Sequence, residues 1–202
     1  MALAARRIGA ENSVTRAVII DATEKLIREE GYAAVSTRRV AAEAGLKPSL
    51  VHYYFPTTDD LFLAVCKRGA EESDAMIDAA LAAPDPLRGL WEFFSDPSRT
   101  AIAMEFMALA NHRKAIRAHI LEHSEAMRAR QVAALEEVLA DRLEVVDGLT
   151  ADGLMLILAG IGRALIMEGG LGVRAGHGDA RAFVESLLDW LNRRACEAPP
   201  TP

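Results

Sequence analysis

A chain of 202 residues with 51% hydrophobic content can bury a substantial core, which excludes disorder over most of its length. Its formal net charge of −6 excludes a protein that coats nucleic acid indiscriminately. The charge is uneven: residues 1–55 hold eight Lys and Arg against six Asp and Glu, a balance of +2, which leaves 15 against 23, or −8, for the remainder.

Alanine- and leucine-rich composition, with few strand-favouring aromatic runs, points to an all-α fold. A first helix is expected from about Thr15 to Glu30, where Ile19, Ala22, Thr23 and Leu26 share one face, and Gly31 stops it. Ser36 or Thr37 caps a short second helix, RRVAAEA, that ends at Gly45. Lys47-Pro48-Ser49 reopens helix at once, because proline is tolerated in a first turn, and SLVHYYF follows for about two turns. Two short helices across so tight a turn have helix-turn-helix spacing. Thr57 to Asp60 matches a capping box and starts a long helix to about Ala83. Pro84 and Pro86, then Asp96-Pro97, delimit short helices bearing Leu87 to Phe94 and Met104 to Leu109. A longer helix spans about Arg113 to Leu143, and Gly148 closes it. The last two run from about Thr150 to Glu168 and from Asp179 to Arg194. The first dozen residues and the CEAPPTP tail read as frayed.

The stretch TRRVAAEAGLKPSLVHYYFPTTDDLF, taken with the first helix and Gly31-Tyr32, resembles the signature of the tetracycline-repressor-like (TetR) family over roughly residues 15–62. The residues that carry the resemblance are Ser36/Thr37, Val40-Ala41, Ala44-Gly45, Lys47-Pro48-Ser49, His52-Tyr53-Tyr54-Phe55 and Thr57. Two positions depart from the pattern: Thr58 replaces the lysine usual early in the fourth helix, and His52 replaces the tyrosine that opens the aromatic cluster. The loss of that lysine weakens the expected grip on phosphate, while the Thr57 cap and the helix-start amides remain.

The resemblance implies an all-α protein with an N-terminal three-helix helix-turn-helix DNA-binding domain, residues 1–55, and a larger helical ligand-sensing and dimerisation domain, residues 56–202. It implies a homodimeric, cytoplasmic regulator that acts as a repressor, leaves a palindromic double-stranded operator when a small, largely apolar effector binds, and uses no cofactor. A helix-turn-helix sets the start of its second helix against base edges while flanking groups hold phosphates. Lys47, Pro48 and Ser49 therefore form the expected reading edge, with Thr37, Arg38, Arg39, His52, Tyr53 and Tyr54 beside it. Trp91, Phe94, Met104 and Met107 fall where such proteins form their effector pocket, and Glu105, Asn111 and Arg113 offer polar contacts. The wide apolar faces of the last two helices place Leu154, Ile157, Leu158, Ile161, Leu165, Phe183, Leu187, Trp190 and Leu191 in an expected dimer seam.

Other signals carry less. Gly170 to Ala175 fits a loose GxGxxA dinucleotide pattern, the basis for an alternative helical enzyme, but that fingerprint needs a preceding strand and here follows a helical segment. A ligand-independent regulator acting through protein association is the other alternative. His119 and His123, four apart, read as exposed histidines rather than metal ligands. Cys66 and Cys196 lack disulfide or zinc spacing, which fits a reducing cytoplasm. The N-terminus lacks the apolar stretch of a secretory signal. The apolar run Leu154–Met167, interrupted by Arg163, reads as too short to cross a bilayer, so no membrane partner is expected.

Overall fold

The computed structural model describes residues 13–139 and 149–196. The expectations for the first dozen residues, for the helix end near Leu143 with Gly148, and for most of the CEAPPTP tail lie outside the described residues. The described residues form helices α1 (Val14–Glu30), α2 (Thr37–Glu43), α3 (Pro48–Tyr54), α4 (Thr58–Leu81), α5 (Pro86–Phe94), α6 (Pro97–Ala110), α7 (Lys114–Leu139), α8 (Ala151–Gly170) and α9 (His177–Cys196). A single 3-10 turn, Tyr32–Ala34, joins α1 to α2, and no strand occurs among the described residues.

Two compact units arise: residues 1–71 with 102–122, and residues 72–101 with 123–202. In the first, Ile19, Ile20, Leu26 and Ile27 of α1 meet Val40, Ala41, Val51, Phe55, Phe62 and Val65, and Phe106, Leu109 and Ile116 join the same core. Gly31, at φ 81°, ends α1 in a conformation that side chains disfavour, and Ser36 Oγ caps α2 by accepting from the Arg39 amide at 3.3 Å. After α2 the chain turns at Gly45, φ 66°, while the Leu46 amide donates to the Ala41 carbonyl at 2.8 Å. This helix stop and Pro48 at the start of α3 set the length of the turn. The Thr57–Asp60 box is reciprocal: the Asp60 amide donates to Thr57 Oγ1 at 3.1 Å, and the Thr57 amide to Asp60 Oδ2 at 2.9 Å.

In the second unit, Leu87, Leu90, Trp91 and Phe94 of α5 pack with Leu135 and Leu139 of α7, Leu154, Met155, Leu158 and Leu165 of α8, and Val184, Leu188 and Leu191 of α9. Gly162 permits the approach of α8 to α5, since a Cβ there would lie 2.4 Å from the Phe94 carbonyl oxygen. Polar contacts tie α5 to α9: Arg88 pairs with Glu185 and Asp189, Asn192 donates to Asp85, and the Trp91 indole donates to Glu185 at 3.2 Å.

Two expectations change and a third holds. Helix α8 has 20 residues, more than its apolar run, so by length and composition alone it suffices to cross a membrane; its Leu154, Leu158 and Leu165 face instead fills the unit's core. The Gly170–Ala175 segment follows helix α8 and turns at Gly172, φ 87°, so the strand that a dinucleotide fingerprint requires does not precede it. His119 and His123 are half-buried rather than exposed, and His123 Nδ1 lies 3.8 Å from Asp74 Oδ2. No cluster of metal-ligating side chains occurs among the described residues.

Candidate nucleic-acid interface

The buried side of α2 and α3, Val40, Ala41 and Val51, locks the pair to α1 and leaves their polar side outward. Arg38, Arg39, Lys47, Pro48, Ser49, His52 and Tyr53 are exposed, whereas Thr37 and Tyr54 are half-buried. Lys47 occupies the N-cap position of α3 without capping it through its side chain, so its ammonium stands at the leading edge of the helix. Tyr53 meets Tyr54 edge to face, with ring centroids 5.2 Å apart. Tyr54 Oη is 2.8 Å from Ser13 Oγ, which gives this residue a packing role at the start of α1. Arg16, not singled out from the sequence, lies 5.1 Å above the Phe55 ring and braces α1 against the end of α3.

Arg39 also has a partner within the chain. Its guanidinium pairs with Glu30 and reaches the Ala34 carbonyl at 3.5 Å, which holds the α1–α2 corner. Arg38, Lys47, Ser49, His52 and Tyr53 are the other exposed donors on this side of α2 and α3. Lys25 pairs with Glu43 at 2.6 Å, and Arg68 pairs with Asp21 and Glu24, so other cations in this unit also serve the scaffold. Burial works to raise the Glu24 carboxyl pKa, but hydrogen bonds and charge from Arg28 and Arg68 outweigh it and hold the group below its usual range. Burial pushes the Cys66 thiol up to about 11, which makes it a packing residue rather than a nucleophile.

Glu105 of α6 has a task that no local pattern reveals. Its carboxylate accepts from the Tyr32 amide at 2.8 Å, directly after Gly31, where a Cβ would lie 3.2 Å from Glu105 Oε2. The contact pins the turn that leads into α2. Glu105→Leu should cost about 1–3 kcal/mol by stranding that amide, whereas Glu105→Gln keeps an acceptor and should cost less. Hydrogen exchange at Tyr32 checks this: lost protection in the Leu variant alone is expected, and unchanged protection in both refutes it.

The residues expected to line an effector pocket are distributed over both units. Trp91 and Phe94 are buried in the second unit's core, whereas Met104 is half-buried and Met107 exposed in the first. Arg113 pairs with Asp59, and Glu105 accepts from the Tyr32 amide. The expected seam also divides. Leu154, Leu158, Leu165 and Leu191 are buried in the chain's own core, Ile161, Leu187 and Trp190 are half-buried, and Ile157 and Phe183 are exposed.

Residues 19–65 match the family model described as bacterial regulatory proteins, tetR family. Over these residues the chain is similar to the TetR family. The chain is 29% identical over 139 residues to the HTH-type transcriptional regulator BetI of Rhizobium meliloti, an alignment that covers 68% of the chain and 64% of that relative. The chain thus spans under two thirds of the length of this curated relative. Among solved structures, a TetR transcription regulator from Haloarcula marismortui superposes with TM-score 0.69 at 22% identity, covering 87% of this chain and 96% of that one. A transcriptional regulator from Saccharomonospora viridis in complex with choline gives TM-score 0.69 at 19% identity, covering 91% and 96%. At these identities the structural likeness is one of fold.

Proposed function

We propose that the chain is a DNA-binding transcriptional regulator of bacterial genes, a cytoplasmic homodimer that represses from a palindromic operator and is released by a small, largely apolar effector. Residues 1–55 serve as the DNA-binding domain and residues 56–202 as the sensing and dimerisation domain. The observation that carries the reading is the α2–turn–α3 pair, whose apolar side is locked to α1 while Arg38, Lys47, Pro48, Ser49 and Tyr53 stand exposed. Phosphate contacts from the flanks orient such a unit, and side chains at the start of α3 read base edges. The match of residues 19–65 to the TetR family model and the regulator function named for the BetI relatives support this reading over catalysis.

Effector control is supported by the neighbouring regulator that holds choline, a small organic molecule. A ligand shifts the DNA equilibrium only if it prefers the state that does not fit the operator. With a coupling of about 1–3 kcal/mol, operator affinity falls some 5–150-fold, and operator DNA weakens effector binding by the same factor.

Selection of bound sequences from random duplex DNA tests the reading. Recovery of a twofold-symmetric motif is the expected result, since a twofold dimer demands related half-sites. Recovery of no motif by well-folded protein refutes sequence-specific regulation, and an asymmetric motif bound by monomer refutes the dimer.

A further inference from the structure

Helix α7 carries one stripe, Gln131, Leu135 and Leu139, at four-residue spacing, and all three side chains are fully buried. Leu135 and Leu139 pack in the second unit's core with Leu87, Leu90, Trp91, Phe94, Leu154 and Leu158. One turn earlier the stripe becomes polar. Neither Gln131 Nε2 nor Gln131 Oε1 has a hydrogen-bond partner among the described residues. A buried amide without partners costs the desolvation of both groups, and leucine or methionine at this position would remove that cost. A buried amide of this kind is satisfied from outside the chain, by an enclosed water or by a bound ligand.

We propose that Gln131 is the polar anchor of a small-molecule site inside the second unit, and that its ligand is a neutral, mostly apolar molecule bearing a hydrogen-bond donor beside an acceptor, as a carboxamide or lactam does. This rests on the effector reading above and names the class of effector. A carboxamide offers one acceptor and two donors, so the group that satisfies it must present both kinds. Neutrality follows from the surroundings: Gln131 and Thr100 are the buried polar side chains among this unit's described residues, and neither is charged. None of the fully buried side chains of this unit supplies a counter-charge for a charged ligand. The rest of the ligand meets apolar side chains, in keeping with the stripe that continues to Leu135 and Leu139.

The experiment compares the full-length wild type with Gln131→Met and Gln131→Leu by thermal melting and calorimetric titration. The probes are benzamide, naphthamide and octanamide, paired with toluene, methylnaphthalene and octane. Without probe, Gln131→Met is expected to melt about 2–4 °C above the wild type, because the unpartnered amide is gone. At least one amide is expected to bind the wild type saturably and to lose roughly 10–100-fold in affinity in both variants, while the hydrocarbons do not discriminate. Variants that melt below the wild type would show that Gln131 serves the fold and overturn the proposal. Amides that bind none of the proteins, or bind all three equally, overturn it as well. Binding to DNA recovered by the wild type is measured alongside without probe; if all three proteins retain it while the amides fail, the ligand class is lost and the DNA-binding reading stands.

Discussion

Leu158→Glu should unfold the chain, whereas Phe183→Glu should leave it folded and split the proposed dimer. Leu158 is fully buried within the second unit's own core, beside Leu154, Met155 and Trp91. A carboxylate there has no counter-ion to meet, and a cost of about 4 kcal/mol or more is a large share of the stability of any domain. Phe183 of α9 is 61% exposed, and α8 presents Leu156 at 61%, Ile157 at 42% and Met167 at 47%. Exposed large apolar residues concentrated on two neighbouring helices mark a contact surface. In a twofold seam the new charge enters twice; at about 2 kcal/mol each, the dissociation constant rises on the order of a thousandfold. Sedimentation together with far-UV circular dichroism separates the outcomes. A Phe183→Glu variant that remains dimeric at micromolar concentration would remove α9 from the seam, and a folded Leu158→Glu variant would contradict the core described above.

Lys47→Ala should weaken specific DNA binding by roughly 1–3 kcal/mol with no change in melting temperature. The side chain is exposed, makes no cap and stands at the first turn of α3, so its removal leaves the fold untouched. If the ammonium reads a base, the loss is confined to certain operator positions; if it holds phosphate, the loss is uniform and the salt dependence falls by about one phosphate contact. Tyr53→Phe removes one hydroxyl from a 43% exposed ring and should cost less, about 0.5–1.5 kcal/mol. Titrations on operator variants at two salt concentrations read all of these values. Unchanged affinity in both variants would remove α3 as the reading helix. Arg39 is a useful contrast, since its ion pair with Glu30 at the α1–α2 corner predicts that Arg39→Ala acts on stability as well as affinity.

The helices and the DNA-reading unit were legible in the sequence because their signals are local. Ser36 caps α2, Gly45 turns left-handed, Pro48 opens α3 and Thr57 pairs with Asp60, each within a few residues along the chain. The periodic apolar residues of α1 likewise lie on the face that the core buries. Where a side chain's partner is distant in sequence, the local pattern was silent or misleading. The local pattern did not show that Trp91 and Phe94 are buried in the second unit's core, or that Glu105 accepts from the Tyr32 amide 73 positions away. The two wide faces of α8 and α9 show the limit most clearly. Their periodicity marks every apolar residue alike, and only the packing of α5 against α8, permitted at Gly162, determines that Leu154 and Leu158 turn inward while Leu156 and Ile157 stay outside. Gln131 belongs to the same class, for nothing in a polar letter on an amphipathic helix says that its amide is fully buried. Helix formation, capping and turning depend on neighbours three to five residues apart, and the sequence by itself determined them; burial depends on which surfaces meet, and that the tertiary structure decided.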